Sequence, residues 1–207
     1  MKRVFYLQFI LLIFISNLLV AQDDKKDIED KDPLQKILRI EDRAGGTHNA
    51  SNIGLFFENR GKLYPVRITQ GPSGEFPINS GKHYIYRINP MVGVPGNVIQ
   101  GRYIQNQEWE AVGGFKKPET PQIALSDKPR TWHPLNGWKK KKKNGDPIIL
   151  SDQDSYCAYN DSNNTVKILN IQVEQVGYAY GVKFAKDLLF FKYLIINKGA
   201  NSYNDLF

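Results

Sequence analysis

The stretch Leu188-Leu189-Phe190-Phe191-Lys192-Tyr193-Leu194-Ile195-Ile196 is the strongest indication of fold in this 207-residue chain. Its apolar side chains would occupy both alternating faces of an extended segment, with Lys192 as the one charged residue. β-Branched and aromatic residues dominate its second half, and Asn197-Lys198-Gly199 follows as a turn signal. This pattern is typical of a central strand that is buried on both faces.

Shorter apolar runs separated by turn residues precede this stretch and favour an all-β fold. Each run has the length of a strand and is bounded by residues such as the cluster Gln70-Gly71-Pro72-Ser73-Gly74. The candidate strands are Ile53–Phe57, Leu63–Ile68, His83–Ile88 and Val98–Ile104. We expect sandwich-like antiparallel sheets with long loops, in one β-rich domain over residues 45–207.

Two further features lie in the second half of the chain. The segment 113–147 is rich in Pro, Gly, Lys and Trp, which predicts a long loop region. A half-buried strand is predicted by the spaced apolar residues Val166, Ile168, Ile171 and Val173. Their alternation changes phase once, so we expect a bulge near Leu169-Asn170.

The N-terminus has the three parts of an export signal. A basic Lys2-Arg3 pair is followed by the mainly apolar run Val4–Val20, and Ala21-Gln22 precedes an abrupt change to Asp and Lys. A signal peptidase recognises this order, so residues 1–21 are predicted to be a signal peptide that is cut between Ala21 and Gln22. An uncleaved anchor is the alternative, but the run is at the short end of the roughly 17–25 residues that a spanning helix needs. We expect a protein that is secreted or displayed on the cell surface, without membrane attachment after cleavage.

Residues 22–44 form a charged leader between the signal peptide and the β-rich domain. Leu34, Ile37 and Leu38 lie at helical spacing, so a short helix is predicted over 34–42. Gly45-Gly46 would end this helix.

The charge balance is decided by one local feature. The formal net charge of +7 falls to +5 when Lys2 and Arg3 leave with the signal peptide, and five of the remaining positive charges are the run Lys139–Lys143. A nucleic-acid interface needs basic residues spread over a face, whereas a single lysine run is usually a solvated loop. We therefore exclude nucleic acid as a partner.

The single cysteine, Cys157, excludes a disulfide-stapled fold, so the domain must be held together by its core. With Tyr156 and Ala158 beside it, we expect Cys157 to be a small buried apolar residue and not a nucleophile. The histidines His48, His83 and His133 lie at no informative spacing from it.

Motifs of hydrolytic enzymes are absent from the sequence. There is no Gly-x-Ser-x-Gly and no His-Glu-x-x-His. Glu108 and Glu110 flank Trp109 and would share one face of a strand, but paired carboxylates on an exposed strand face are common. We expect no enzyme and no cofactor in this chain.

Calcium is the one metal that the residues suggest. Asp152, Asp154 and Asp161, with the neighbouring Asn160 and Asn163, form the densest group of oxygen ligands in the chain. Their spacing fits no EF-hand loop, and Asp, Asn and Ser are also ordinary turn residues. We favour plain turns over a calcium site.

Tryptophans in the long loop region are the best candidates for ligand binding. Aromatic residues of an all-β domain usually pack in the core, but Trp132 and Trp138 fall in a loop, where an exposed Trp would stack on a sugar ring or another partner. Core packing remains the favoured interpretation for the other aromatic residues Trp109, Tyr84, Tyr86 and Tyr103.

Several segments together carry a resemblance to a group of exported proteins. They are Leu19–Gln22, Ser151–Tyr156 with Tyr159–Asp161, Ile171–Tyr180, and Lys186–Tyr193 running into Ile195–Gly199. In these segments the chain resembles the N-terminal region of large secreted proteins of Bacteroidetes and Ignavibacteria, many of which end in a type IX secretion sorting domain. The lysine run replaces a turn in that pattern, and no sorting domain is present. The resemblance implies no activity, because its motifs are structural.

These observations lead to two hypotheses about function. The first is a non-catalytic secreted or cell-surface β module with a structural or binding role, as the N-terminal part of a longer multidomain protein. Its partners would be glycans or other cell-surface components. The alternative is an accessory domain of an extracellular hydrolase whose catalytic part lies beyond residue 207. Under both, we expect the β-rich domain to be truncated at its C-terminal edge, because a buried strand over 188–196 needs a neighbour on each side.

Overall fold

The computed structural model describes residues 43–65, 67–100, 108–111, 123–133, 136–162, 164 and 168–207. The predicted signal peptide with its cleavage site Ala21-Gln22, the short helix over 34–42 and most of the charged leader lie outside these residues. Within them the chain is mostly β-structure in antiparallel sheets, so the predicted all-β class is confirmed.

Ten strands and two 3₁₀ helices are found in the described part of the chain. The strands are β1 Gly45–His48, β2 Gly54–Glu58, β3 Ser73–Glu75, β4 Met91–Val94, β5 Asn97–Gln100, β6 Glu110–Ala111, β7 Ala124–Leu125, β8 Gln153–Asn160, β9 Ile171–Ala179 and β10 Leu189–Asn197. The 3₁₀ helices are Ile68–Gln70 and Pro129–Thr131.

The strands form three sheets. The first has the order β1-β2-β3, the second has the order β10-β9-β8-β6 with β7 also on β8, and the third is the β4-β5 hairpin. All pairings between these strands are antiparallel. The long strands β8, β9 and β10 therefore make the second sheet the main framework of the molecule.

Alternation of buried residues along β8 and β9 creates the core. Every second residue of β9, from Ile171 to Ala179, is buried, and the residues between them are half-buried. This is the period of two that a pleated strand imposes on a sheet with one covered face. The core joins the first and second sheets, and its fully buried side chains include Phe57, Ile99, Trp109, Cys157, Tyr159, Ile171 and Val173.

Two predicted strands are wrong. Leu63 and Tyr64 are buried but lie outside any strand, and the segment ends in the 3₁₀ helix that begins at Ile68. Pro65 has no N–H to donate to a neighbouring strand. Over 83–88 the only pairing is an isolated bridge between His83 and Glu75. The other two predicted strands correspond to β2 and β5, although residues 101–104 lie outside the description.

The segment 113–147 has little regular structure where it is described, as the sequence predicts. It contains β7, the 3₁₀ helix Pro129–Thr131 and isolated bridges such as the one between Lys141 and Pro147. This segment is thus a long excursion from the second sheet, anchored to it where β7 pairs with β8.

The predicted half-buried strand begins later than its apolar pattern suggests. β9 starts at Ile171, and Ile168 is exposed and lies before it; Val166 is outside the description. The bulge expected near Leu169-Asn170 is not found, because both residues precede β9 outside any strand, where Asn170 has a φ of 55°. Asn is among the few residues that adopt this left-handed conformation readily.

The strand over 188–196 exists, but among the described strands it is neither central nor buried, contrary to the prediction from the sequence. β10 is at the end of the order β10-β9-β8-β6, and most of its side chains are exposed. Its apolar residues on both faces resemble those of a central strand, yet only one side of its backbone pairs with a described strand, β9. The pattern of apolar residues depends on which faces of a strand are covered and not on how many strands pair with it. A central strand and an edge strand can therefore have the same sequence pattern.

Candidate functional site

A buried polar pair lies where β1 meets the second sheet. His48 at the end of β1 and Ser155 in β8 are both buried, and His48 Nε2 is 2.9 Å from Ser155 Oγ. The two residues are 107 positions apart in the chain, and no local spacing in the sequence predicts the contact. A serine hydroxyl beside a histidine ring is the arrangement that nucleophilic catalysis uses. Whether a substrate can reach the pair therefore decides its role.

Gly177 of β9 makes the contact between His48 and Ser155 possible. A Cβ atom at residue 177 would lie 2.4 Å from His48 Nε2 and 2.7 Å from Ser155 Oγ, closer than atoms can approach. The N–H of Gly177 donates to Ser155 Oγ at 3.2 Å. Ser155 Oγ and His48 Nε2 share one hydrogen bond, and the tautomer of the ring sets which of them donates.

Gln153 links this pair to two loops. Its side-chain oxygen accepts the N–H of Asn49 at 2.9 Å, and its Nε2 donates to Asn49 Oδ1 at 2.9 Å and to Asp127 Oδ2 at 3.0 Å. Gln153 is fully buried. The amide thus ties the chain after β1 and the turn after β7 to the start of β8.

The His48–Ser155 pair is closed to substrates. The His48 ring stacks on Phe57 at a centroid distance of 5.1 Å and meets the edge of Phe191 at 5.7 Å. Burial lowers the pKa of His48 to about 4, against the raising effects of Gln153 and Asp127, so the ring is neutral at pH 7. Nucleophilic attack requires that the hydroxyl reach a carbonyl group, and Ser155 is itself buried. The geometry therefore supports a structural role for this pair.

The calcium candidates Asp152 and Asp154 bind backbone N–H groups. Asp152 Oδ2 accepts the N–H of Gly181 at 2.7 Å. Asp154 accepts the N–H groups of Leu150 and Ser151, both at 2.9 Å, and is buried. Both carboxylates thus hold turns in place at one end of the second sheet.

Asp161, the third calcium candidate, is fully buried between β8 and β9. Its two oxygens accept the N–H groups of Leu169 and Ile171, the latter at 2.9 Å. Asn160 Oδ1 accepts the N–H of Ser162, and Asn163 lies outside the description. Among the described residues, no three His, Cys, Asp or Glu side chains come close enough to hold a metal ion together.

The two loop tryptophans contact each other instead of facing solvent. The rings of Trp132 and Trp138, the two candidates for ligand binding, are 5.6 Å apart between centroids, and Trp138 is buried. The indole N–H of Trp132 donates to the carbonyl of Leu125 at 2.8 Å, and that of Trp138 donates to the carbonyl of Ile148 at 2.9 Å. Trp132, which is half-buried, retains part of its surface for a partner.

Glu108 and Glu110 do not form an exposed pair of carboxylates. Glu110 is buried and accepts two hydrogen bonds from the guanidinium of Arg43, at 3.1 and 2.9 Å. Such a bidentate ion pair holds the carboxylate in place. Trp109 between them is fully buried in the core, as predicted. The same prediction is wrong for Tyr84 and Tyr86, which are exposed, and Tyr103 lies outside the described residues.

The lysine run is solvated except at its first residue. Lys139 Nζ lies 3.1 Å from Glu174 Oε1 on β9 and 5.1 Å from the centre of the Tyr156 ring. Residues 140–143 are exposed. One lysine thus packs on the outer face of the second sheet, and the others face solvent.

The largest unexplained feature is the apolar surface of β10. Exposed side chains occur on both of its faces, and Leu188 beside it is exposed as well. In the described residues there is no helix long and apolar enough to cross a membrane. Comparisons with protein-family models, with curated proteins and with solved structures found no match to this chain.

Proposed function

We propose that this chain is a non-catalytic β module that is exported from the cytoplasm and serves a structural or binding role at the cell surface or outside the cell. The observation that carries the proposal is the nine-residue strand β10, which presents an apolar sheet edge as an interaction surface. An interaction module needs such a surface, whereas an enzyme needs an accessible reactive group.

The polar groups that could have acted as catalysts support a non-catalytic module. Ser155 and His48 are buried together, and Glu110 is engaged by Arg43. Cys157 is also buried, and burial raises the pKa of its thiol, which opposes formation of the reactive thiolate.

A sandwich arrangement of the sheets is the finer part of the fold proposal. Side chains from β2 in the first sheet and from β8 and β9 in the second join one core. In a β-sandwich, two antiparallel sheets bury their inner faces against each other in this way.

Export and surface partners are the remaining parts of the proposal. The order of charge, apolar run and small residue at the N-terminus supports cleavage after Ala21, and the resemblance to type IX secretion proteins points to the same compartment. For a glycan partner, the accessible aromatic side chains are the half-buried Trp132 and the exposed Tyr84 and Tyr86.

Export is tested by expressing the full chain with its own leader in a Gram-negative host. We expect the product outside the cytoplasm with Gln22, or its cyclised form, as the first residue, by fractionation and N-terminal sequencing. A control with Leu11→Arg and Leu12→Arg should stay in the cytoplasm, because charges interrupt the apolar run that the export machinery reads. A cytoplasmic wild-type product that still begins with Met1 would refute the proposed function.

A further inference from the structure

The backbone of β10 has one paired side and one side that no described strand pairs. Lys198 donates its N–H to the carbonyl of Asn170 at 2.7 Å, in continuation of the β9–β10 register. Because residues of an antiparallel strand point alternately to one neighbour and the other, the even-numbered residues 190–196 bond to β9. The residues that turn N–H and C=O away from β9 are Leu189, Phe191, Tyr193, Ile195 and Asn197.

The side chains of β10 add apolar surface on both faces of this edge. On the outer face, Phe190 and Leu194 are 47% and 50% exposed; on the face that continues the core, Tyr193 and Ile195 are 37% and 45% exposed. Natural sheet edges are usually protected by several charges, by proline or by bulges. β10 has one charge, Lys192, and pairs with β9 without a register shift. The edge is therefore suited to accept another strand.

A second copy of β10 fits this edge in hydrogen-bonding phase. If two copies pair antiparallel about a two-fold axis at Tyr193, Leu189 faces Asn197 of the second copy and Phe191 faces its Ile195. All of these residues point outward, so each outward N–H meets an outward C=O over the whole of 189–197. The Tyr193 side chains of the two copies then cover each other, and Ile195 of one copy is covered by Phe191 of the other.

Strand length and charge favour this register over its neighbours. With the axis at Tyr193, Lys192 faces Leu194, and no like charges are directly opposed. With the axis at Ile195, pairing within β10 shrinks to 193–197 and Lys192 faces Lys198. With the axis at Phe191, pairing within β10 shrinks to 189–193. A shift by one residue would place backbone groups that already bond to β9 opposite backbone groups of the second copy that point away from its own β9.

We infer that two copies of this chain join through β10 in the register centred on Tyr193, so that one sheet continues across both molecules. This inference rests on the proposed binding role and names its partner. In the described part of each copy, β10 is the one long apolar strand at the end of a sheet, and a two-fold axis uses this edge of both copies, so the assembly closes as a dimer.

Leu194 provides a test that is specific for this register. Leu194→Lys places a lysine opposite Lys192 of the second copy twice in the interface, whereas Leu194→Glu places a carboxylate there. Within its own chain residue 194 faces Glu174. In the monomer Glu174 therefore attracts the new lysine and repels the new glutamate, which is the reverse of the effect of Lys192 in the dimer. Met91→Lys is the matched control, since Met91 is also an exposed apolar strand residue but lies in the β4-β5 hairpin.

Sedimentation and light scattering of the purified full chain over a range of concentrations give the readout, with circular dichroism as the check of folding. We expect dimers for wild type, Met91→Lys and Leu194→Glu, and a dissociation constant for Leu194→Lys that is higher than that of Leu194→Glu by about tenfold or more. Added salt should weaken the Leu194→Glu dimer, because its cross-strand ion pairs are exposed.

Three results would overturn the inference. A monomeric wild-type chain would contradict pairing with a second copy, whatever the variants do. Species larger than a dimer would contradict the closed two-fold pairing, and equal association of Leu194→Lys and Leu194→Glu would contradict the register. These results leave the export measurement untouched, just as a failure of export leaves the dimer measurement valid.

Discussion

The side chain of Cys157 shows how burial decides the chemistry of a single residue. It lies in the core on β8, in line with Gln175 of β9, and its thiol is fully covered. Desolvation disfavours the charged thiolate, which raises the pKa of the thiol. A buried cysteine in such surroundings acts as a small apolar residue.

Folded protein should therefore react slowly with a thiol reagent at neutral pH, and rapidly in denaturant. The labelling rate of Cys157 is the measurement, and an added cysteine from Ser162→Cys, at an exposed position, is the control that should react at once. Rapid labelling of the folded wild-type chain would contradict a structural role for Cys157 and reopen the question of a nucleophile.

At the scale of elements, the junction between β8 and β9 depends on Asp161. This carboxylate follows the last residue of β8 and accepts the N–H groups of Leu169 and Ile171, which precede and begin β9. Asn170 between them has a left-handed conformation. One buried side chain thus satisfies the backbone where the chain re-enters the sheet.

Asp161→Ala should lower the free energy of unfolding by about 2–4 kcal/mol, because two buried N–H groups lose their acceptor. Asp161→Asn keeps one acceptor oxygen and should cost about half as much. Chemical denaturation measures both, and Asp152→Ala, which removes an exposed carboxylate with one N–H partner, is the control with an expected loss of about 1 kcal/mol or less.

Thermal melting of the same variants with calcium or EDTA separates the turn interpretation from a calcium site. Because Asp152, Asp154 and Asp161 are each bonded to backbone N–H groups, adding calcium or EDTA should leave the melting temperature unchanged. A rise in melting temperature with calcium that Asp161→Asn abolishes would contradict the turn interpretation.

At the scale of the whole molecule, His48 makes stability depend on pH. Its pKa is lowered by burial to about 4 in the folded chain, against 6.5 for an ordinary histidine. The unfolded chain thus binds a proton at a higher pH than the folded chain, so the contribution of His48 is complete above pH 6.5 and is lost as the pH falls towards 4. The loss over this window is about 3 kcal/mol.

His48→Gln should flatten the fall in stability between pH 6.5 and 4, even if it also lowers stability at neutral pH. Unfolding free energies at a series of pH values give the slope for each variant. His83→Gln changes an exposed histidine and should keep the wild-type slope. Equal slopes for wild type and His48→Gln would show that another group controls acid unfolding.

The sequence by itself determined the elements whose signal is local. Period-two alternation indicated a strand that overlaps the start of β9, apolar and β-branched content placed β10, and the isolated Cys157 indicated a core without disulfides. The Asp and Asn residues around β8 were interpreted as turn residues, and their carboxylates do bind nearby backbone. These features follow from residue types and their spacing within single segments, so a single sequence contains them.

The tertiary structure alone decided which segments meet. Nothing in the sequence connects His48 to Ser155, which are 107 residues apart, or Arg43 to Glu110, which are 67 apart. For the same reason the sequence could not distinguish β10 as an edge strand from a central one. The apolar pattern of a strand records its two faces, whereas its pairing sides consist of backbone groups that every residue type shares, so only the fold shows which of those groups remain open.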